Sequence, residues 1–296
     1  MIRKTFESLT ITRSFSDRQP TVPNEVVTRI APRRGLQLLD FAELYAYRDL
    51  FRFLVWRQIK VRYAQSAVGV GWALLQPLFM MGVCTIVFGM MANMDSDGTP
   101  YALFSVAGLL PWTYFSNSIT DGVASLVTEA EMLRKIYFPR VLLLLSAVIA
   151  KLIDLTIAAV LLVIVMIYFQ RLPSPTIVLL PLFVLMLVLA STAVSFWLSA
   201  MAVQFRDVKH AMPFIVQLGM YLSPVVFPVS KVPEQFQLFF ALNPMVGVIA
   251  GFRSSLLGTP DMPWGIVAVS FLSSCLLFVS GLLYFRQKER LFADVA

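Results

Sequence analysis

The sequence predicts an all-α integral membrane protein: six transmembrane helices, an N-terminal amphipathic interface helix and re-entrant outer gate helices before the last span. Three observations predict it. Of 296 residues, 58% are hydrophobic and only 14% are charged, whereas soluble domains sit near half apolar and a quarter charged. The apolar residues gather in blocks of about twenty, the length an α-helix needs to cross a hydrocarbon core. Most of the positive charge falls between particular blocks and is nearly absent between the others. Mean hydropathy is +0.77. Both cysteines, Cys84 and Cys275, lie inside apolar blocks, so no disulfide framework is implied.

Residues 1–39 carry no sustained hydrophobic period and include Pro20, Pro23 and Pro32, which reads as a flexible cytoplasmic tail. No early apolar core resembling a signal peptide interrupts its arginines, so the amino terminus is expected to stay cytoplasmic. From Asp40, a plausible cap, the pattern turns helical. Phe41, Leu44, Tyr45, Tyr47, Leu50, Phe51, Leu54 and Val55 recur at helical spacing, with Glu43, Arg48, Asp49, Arg52 and Gln58 mainly between them. That describes an amphipathic helix over residues 40–63 in the headgroup plane, or a soluble helix packed on a partner. Residues 64–296 form the membrane domain.

Its spans are expected near Val68 to Met91, Leu103 to Ile119, Val141 to Phe169, Ile177 to Val203, Met212 to Val226 and Trp264 to Phe285. With six spans both termini are cytoplasmic, and the segments so assigned (1–67, 120–140, 204–211 and 286–296) hold 20 of the 24 Lys and Arg. The outside segments hold only Arg171, Lys231 and Arg253, while Lys151 falls within a span. This is the positive-inside distribution. A seventh span over Phe236 to Leu257 would invert the carboxyl terminus, but Asn243-Pro244 interrupts it. The segment reads instead as two short helices that dip into the outer leaflet and return, tolerable only where protein or water satisfies the backbone. Pro224 and Pro228 break the preceding stretch in the same way, and Pro224, Pro228, Asn243, Pro244 and Arg253 make up a candidate outer gate.

Two short connectors remain on the cytoplasmic face. Thr128 to Arg140 runs from acidic to basic, the order that complements a short helix dipole; it either presents Met132, Leu133 and Ile136 as an apolar face to a partner or is an interfacial connector with no partner. Gln204 to His210 holds the only histidine, read as a loop residue and not as a ligand.

The chain has no G-x-x-x-x-G-K-[ST] phosphate cradle, no H-E-x-x-H, no paired C-x-x-C and no G-x-S-x-G, so no ATP, metal or nucleophile chemistry is expected on it. Its basic excess follows the anionic inner leaflet and does not call for nucleic acid. The ionisable residues inside a span are Lys151 and Asp154, at i and i+3 on one face; they form either a structural or hinge pair or a functional one. Trp72, Trp112, Tyr114, Phe115, Phe214 and Tyr221 serve either as interfacial anchors and packing groups or as flat faces for sugar C–H groups along a channel.

Several strings together resemble one family, the membrane permeases of ABC transporters that export cell-surface polysaccharides such as O-antigen, capsule and teichoic acid. They are Trp56-Arg57-Gln58-Ile59-Lys60-Val61-Arg62-Tyr63 followed by Ser66, Gly69, Gly71-Trp72-Ala73 and Leu75-Gln76-Pro77-Leu78; Gly108-Leu109-Leu110-Pro111-Trp112 with Phe115-Ser116-Asn117-Ser118; Lys135-Ile136-Tyr137-Phe138-Pro139-Arg140; Phe205-Arg206-Asp207-Val208; and Ser223-Pro224-Val225 with Asn243-Pro244-Met245. They run in the family's order from about residue 40 to the end and leave the first 39 residues unexplained.

The resemblance implies a homodimer in the bacterial inner membrane, each subunit seated on a separate nucleotide-binding subunit that binds ATP and Mg and hydrolyses the nucleotide. It implies that Glu129, Glu131, Met132, Leu133, Arg134, Lys135, Ile136 and Tyr137 form the coupling helix and that the broken stretch 223–257 is the outer gate. For a lipid-linked glycan, most simply O-antigen, Arg57, Lys60 and Arg62 at the inner interface are suited to a diphosphate headgroup, or they are simple positive-inside anchors. Two other functions stay open on the sequence. One is an ABC exporter of another cargo, such as a drug or small lipid. The other is a membrane-bound transferase, which the scattered carboxylates and single histidine disfavour.

Overall fold

In a computed structural model, the residues described are 41–64, 71–129, 138–205, 207–258 and 261–289. The predicted tail, the Asp40 cap, Ser66, Gly69, Arg206 and most of the predicted coupling helix lie outside them. Every regular element among the described residues is helical. Four helical stretches are long and apolar enough to cross a membrane: Gly71–Met91, Val141–Tyr168, Pro175–Gln204 and Trp264–Lys288. A fifth is reached if the bent pair Glu234–Phe240 and Pro244–Leu257 counts as one span.

The amphipathic segment forms two helices, α1 (Phe41–Ala46) and α2 (Arg48–Tyr63), interrupted at Tyr47. Leu44, Tyr47, Leu50 and Phe51 pack partly buried against the core, and Leu54 is fully inside it. Phe53 and Trp56 stay exposed on the other side of α2, and Val61 is exposed near its end. The helix α3 (Gly71–Cys84) continues as a π-helical turn over Thr85–Met91. Little of that stretch is buried within the chain, so its Phe79, Val83, Ile86 and Met90 are presented outward.

At the centre stands α4 (Tyr101–Thr128), which packs against α3, α5 (Val141–Ala150), α6 (Leu152–Tyr168), α7 (Leu180–Gln204) and α10 (Pro244–Leu257). The predicted span Leu103 to Ile119 lies wholly on α4, yet α4 is not among the stretches that pass on composition. Ser105, Thr113, Ser116, Asn117, Ser118, Thr120, Asp121 and Ser125 dilute it. Most of those side chains are tolerable because α4 is largely enclosed by protein, Thr120 and Asp121 being the more exposed ones. The hydroxyls of Ser105, Ser116 and Ser125 turn back to carbonyls three residues earlier, and that of Thr120 to one four residues earlier.

Four boundaries differ clearly from the sequence expectation. The helix α4 runs on past the expected Ile119 to Thr128. The predicted span Val141 to Phe169 is α5 plus α6, broken for one residue at Lys151. Asp207 to His210, read as connector, is already the first turn of α8 (Asp207–Tyr221). That helix stops before the expected Val226 because Ser223-Pro224 cannot continue it. At 15 residues α8 is also shorter than a spanning helix.

Beyond it come α9 (Glu234–Phe240) and α10, whose axes differ by 110°. The break is encoded locally. The Asn243 side chain accepts from the Met245 N–H at 3.0 Å, and Pro244 occupies the first helical position, where its missing N–H is no loss. The other end of α10 closes on Gly258 at φ 71, the left-handed cap that favours glycine. Finally α11 (Trp264–Lys288) lies along α7 and α10. The Ser270 hydroxyl fixes it to the break, accepting from Gly247 N–H at 3.0 Å and donating to Ala241 O at 2.8 Å.

Candidate functional site

Two polar clusters sit toward opposite ends of α4. Phe104 belongs to one and Asp121 to the other, about 25 Å apart along the helix at 1.5 Å per residue.

The first cluster joins α2, α4 and the α5–α6 junction. Arg62 reaches Asp154 at 2.9 Å and Asp121 at 3.7 Å; Lys151 pairs with Asp121 and stands 4.0 Å from Asp154. The Tyr63 hydroxyl donates to Asp154. Lys151 is nearly inaccessible, at 5% side-chain exposure, whereas Asp121 is 46% exposed. Two cations thus face two carboxylates, which lets ionised groups sit in a largely apolar bundle. The predicted pair Lys151 and Asp154 is therefore part of a larger network. The sequence leaves Asp121 in a connector, and it marks Arg62 as a headgroup or anchor cation without its carboxylate partners, which lie far along the chain.

The other interface cations divide. Arg57 pairs with Glu129, the one predicted coupling residue among the described ones; Glu131, Met132, Leu133, Arg134, Lys135, Ile136 and Tyr137 lie outside them. Lys60 is exposed and makes no ion pair among the described residues. At the same end, Arg140 donates to the Glu289 carbonyl, and Arg286 meets the Glu289 carboxylate at 2.9 Å. The tail of α11 is thereby tied to the connector before α5.

The predicted aromatics separate as well. Trp112, Tyr114 and Phe115 are buried within the chain, and the Tyr114 hydroxyl donates to Val148 O at 3.0 Å. Trp72, Phe214 and Tyr221 are more than half exposed. A cleft of about 200 Å³ opens beside the charged network, lined by Trp72, Gln76, Asn117, Arg62 and Asp154 among others. A second, of about 320 Å³, lies beyond the network toward Gln58 and Ala147.

The second cluster is built on Arg253, which is 3% exposed. Its Nη1 donates to Pro224 O at 2.5 Å and Phe227 O at 3.4 Å, Nη2 to Val225 O at 2.5 Å and Nε to Phe104 O at 3.3 Å. The guanidinium also lies 3.6 Å from the centre of the Phe104 ring. No carboxylate reaches it among the described residues; main-chain carbonyls satisfy the cation instead. Gly108 makes the approach possible, since a Cβ there would overlap the guanidinium and lie 2.9 Å from Val225 O. Asn243 closes the same turn by donating to Leu222 O at 2.9 Å, and Tyr101 donates to Val226 O at 2.5 Å. Pro224, Asn243, Pro244 and Arg253 thus come together, with Pro228 at the start of the next turn.

Just outside that turn, Lys231 meets Asp95 at 3.3 Å and Ser230 donates to Asp97 at 2.9 Å. The hydrogen bond from Lys231 holds the Asp95 carboxyl below the usual carboxylate range. Among the described residues no three His, Cys, Asp or Glu side chains gather as a metal site.

Comparison with known proteins adds three findings. Residues 49–257 match the family described as ABC-2 type transporter. The chain is 31% identical over 214 residues to the O-antigen export system permease protein RfbA of Myxococcus xanthus, covering 72% of this chain and 82% of that protein. It is 25% identical to a protein of the same name from Klebsiella pneumoniae (83% and 95% covered), and 21% identical to the polysialic acid transport protein KpsM of Escherichia coli (68% and 78% covered).

Proposed function

Since the chain belongs to the ABC-2 type transporter family, we propose that it is the permease subunit of an ATP-driven exporter of lipid-linked cell-surface polysaccharide, O-antigen before capsule. The observation that carries the cargo is the likeness to O-antigen export permeases over as much as 83% of this chain and 95% of the relative. Two copies form the conduit in the bacterial inner membrane, and a separate nucleotide-binding subunit binds ATP and Mg. The chain itself is no enzyme.

Six spans with both termini cytoplasmic fit this role. On that reading α3, α4, α5 with α6, α7, α8 and α11 cross, and the 110° bend between α9 and α10 supports a re-entrant gate that returns to the outer side. The short α8 completes its crossing through the turn that Arg253 holds. The segment 129–137 docks on the ATPase, and the pairing of Arg57 with Glu129 links that segment to α2. Lys60, with no ion pair among the described residues, is the cation best placed for an anionic headgroup, while Arg57 and Arg62 must first exchange a carboxylate partner. Trp72, Phe214 and Tyr221 offer the accessible aromatic faces.

The test is removal of the gene from its own bacterium. Surface polysaccharide should vanish while lipid-linked polymer accumulates inside, and a tagged copy that restores export should copurify with an ATPase. Unchanged surface polysaccharide refutes the function.

A further inference from the structure

The cleft of about 200 Å³ between α2, α3, α4 and α6 lies below the ~300–1,000 Å³ of pockets for drug-sized ligands, so it suits a single ring and not a polymer. Its chemistry is mixed. Trp72 lines it with an indole that is 57% exposed. Gln76 and Asn117 line it with carboxamides that have no side-chain hydrogen-bond partner among the described residues. Such groups on helices of an apolar bundle are costly unless water or a ligand satisfies them. Arg62 and Asp154 close one side, already joined at 2.9 Å.

Charge decides the ligand class. In the lining Arg62 and Lys151 stand beside Asp154, and Asp121 just behind it pairs with both cations, so a diphosphate would have to displace carboxylates that both cations already hold. An uncharged ring bearing several hydroxyls matches it at every point. Its hydroxyls donate to Asp154, accept from Arg62 and the two carboxamides, and its C–H face lies on Trp72. We propose that this cleft binds one neutral pyranose, the sugar attached directly to the lipid carrier, apart from the cations that meet the diphosphate. This rests on the exporter reading above and adds where the carrier-proximal sugar is recognised.

The experiment uses the permease with its ATPase in lipid nanodiscs. Undecaprenyl diphosphate bearing one N-acetylglucosamine, bare undecaprenyl diphosphate and a glucosyl diacylglycerol each compete with a fluorescent prenyl diphosphate. In the wild type the sugar-bearing prenyl lipid should bind roughly tenfold tighter than the bare one, the size expected when a few neutral hydrogen bonds form. Gln76→Ala with Asn117→Ala should bring the ratio near one and leave the bare lipid's affinity within about twofold. Trp72→Ala, a change at an exposed side chain, should do the same, and Trp72→Phe should keep most of the preference. Equal binding of the two prenyl lipids in the wild type, or a ratio that survives both alanine variants, overturns the sugar site alone. Tight binding of the glucosyl diacylglycerol at the cleft overturns its assignment to the glycan carrier. Binding of neither prenyl lipid overturns the exporter reading itself.

Discussion

Replacing Arg253 by Met keeps much of the volume and removes the charge and all five N–H donors. The structure supplies the magnitude. Pro224 O and Val225 O each lose a 2.5 Å hydrogen bond, and a buried carbonyl left unsatisfied costs about 1–3 kcal/mol. Loss of the cation from the Phe104 ring adds up to about 2 kcal/mol. Against these stands relief from burying a guanidinium without a carboxylate. The net is roughly 3 kcal/mol, and at about 2–4 °C per kcal/mol for a large chain the midpoint should fall by about 6–12 °C. The assay is thermal unfolding of the detergent-purified protein, followed by the fraction that still elutes as a monodisperse peak after heating. Gly108→Ala should act through the same contact, because its Cβ would displace the guanidinium. It should therefore cost less in the Arg253→Met background than in the wild type. A midpoint for Arg253→Met within about 2 °C of wild type refutes the idea that the guanidinium holds the 224–227 turn.

Three further outcomes are expected. Lys151→Met should destabilise by roughly 2 kcal/mol, less than the ~3–5 of a fully buried pair because Asp121 is 46% exposed, and adding Asp121→Asn should recover much of it in a double-mutant cycle. Asp95 has a lowered folded pKa against an ordinary value of 3.8, so its contribution is complete above that value and disappears as pH falls through the lowered one. The difference in unfolding midpoint between wild type and Asp95→Asn should accordingly be present at neutral pH and close in strong acid. With Cys84 and Cys275 replaced by Ala, an impermeant maleimide applied outside intact spheroplasts should label Arg171→Cys and Ser230→Cys but not Lys288→Cys. Outside labelling of Lys288→Cys refutes the return of α9 and α10 to the outer side.

The sequence disclosed whatever was encoded within a turn or two. Runs of about twenty apolar residues marked the long helices, and Asn243-Pro244 marked the break between α9 and α10 because cap and first-turn proline are neighbours. Hydrophobicity misled where a helix outlasts it: nothing between Thr120 and Thr128 breaks α4, so the helix carries Asp121 beyond its apolar stretch and into contact with Lys151 and Arg62. The aromatics were ambiguous for a related reason. Trp112 and Phe115 share a face of α4 that is covered by other helices, whereas Trp72 stands on a helix with little cover, and covering is decided by distant segments. By sequence Arg253 is one more outer charge; of the four carbonyls that enclose it, three come from the 224–227 turn and one from Phe104 on α4, both remote along the chain.

The central helix α4 is gripped at both ends, by Arg253 near Phe104 and by Lys151 and Arg62 at Asp121. Partway between stands Pro111, which removes one rung of the backbone ladder and is where a helix under load bends most readily. Mechanically this is a strut with two anchorages and one soft joint. A push at either anchorage has two outlets, sliding the whole strut or flexing it at Pro111, so the stiffness of that joint sets how much motion arrives at the far side.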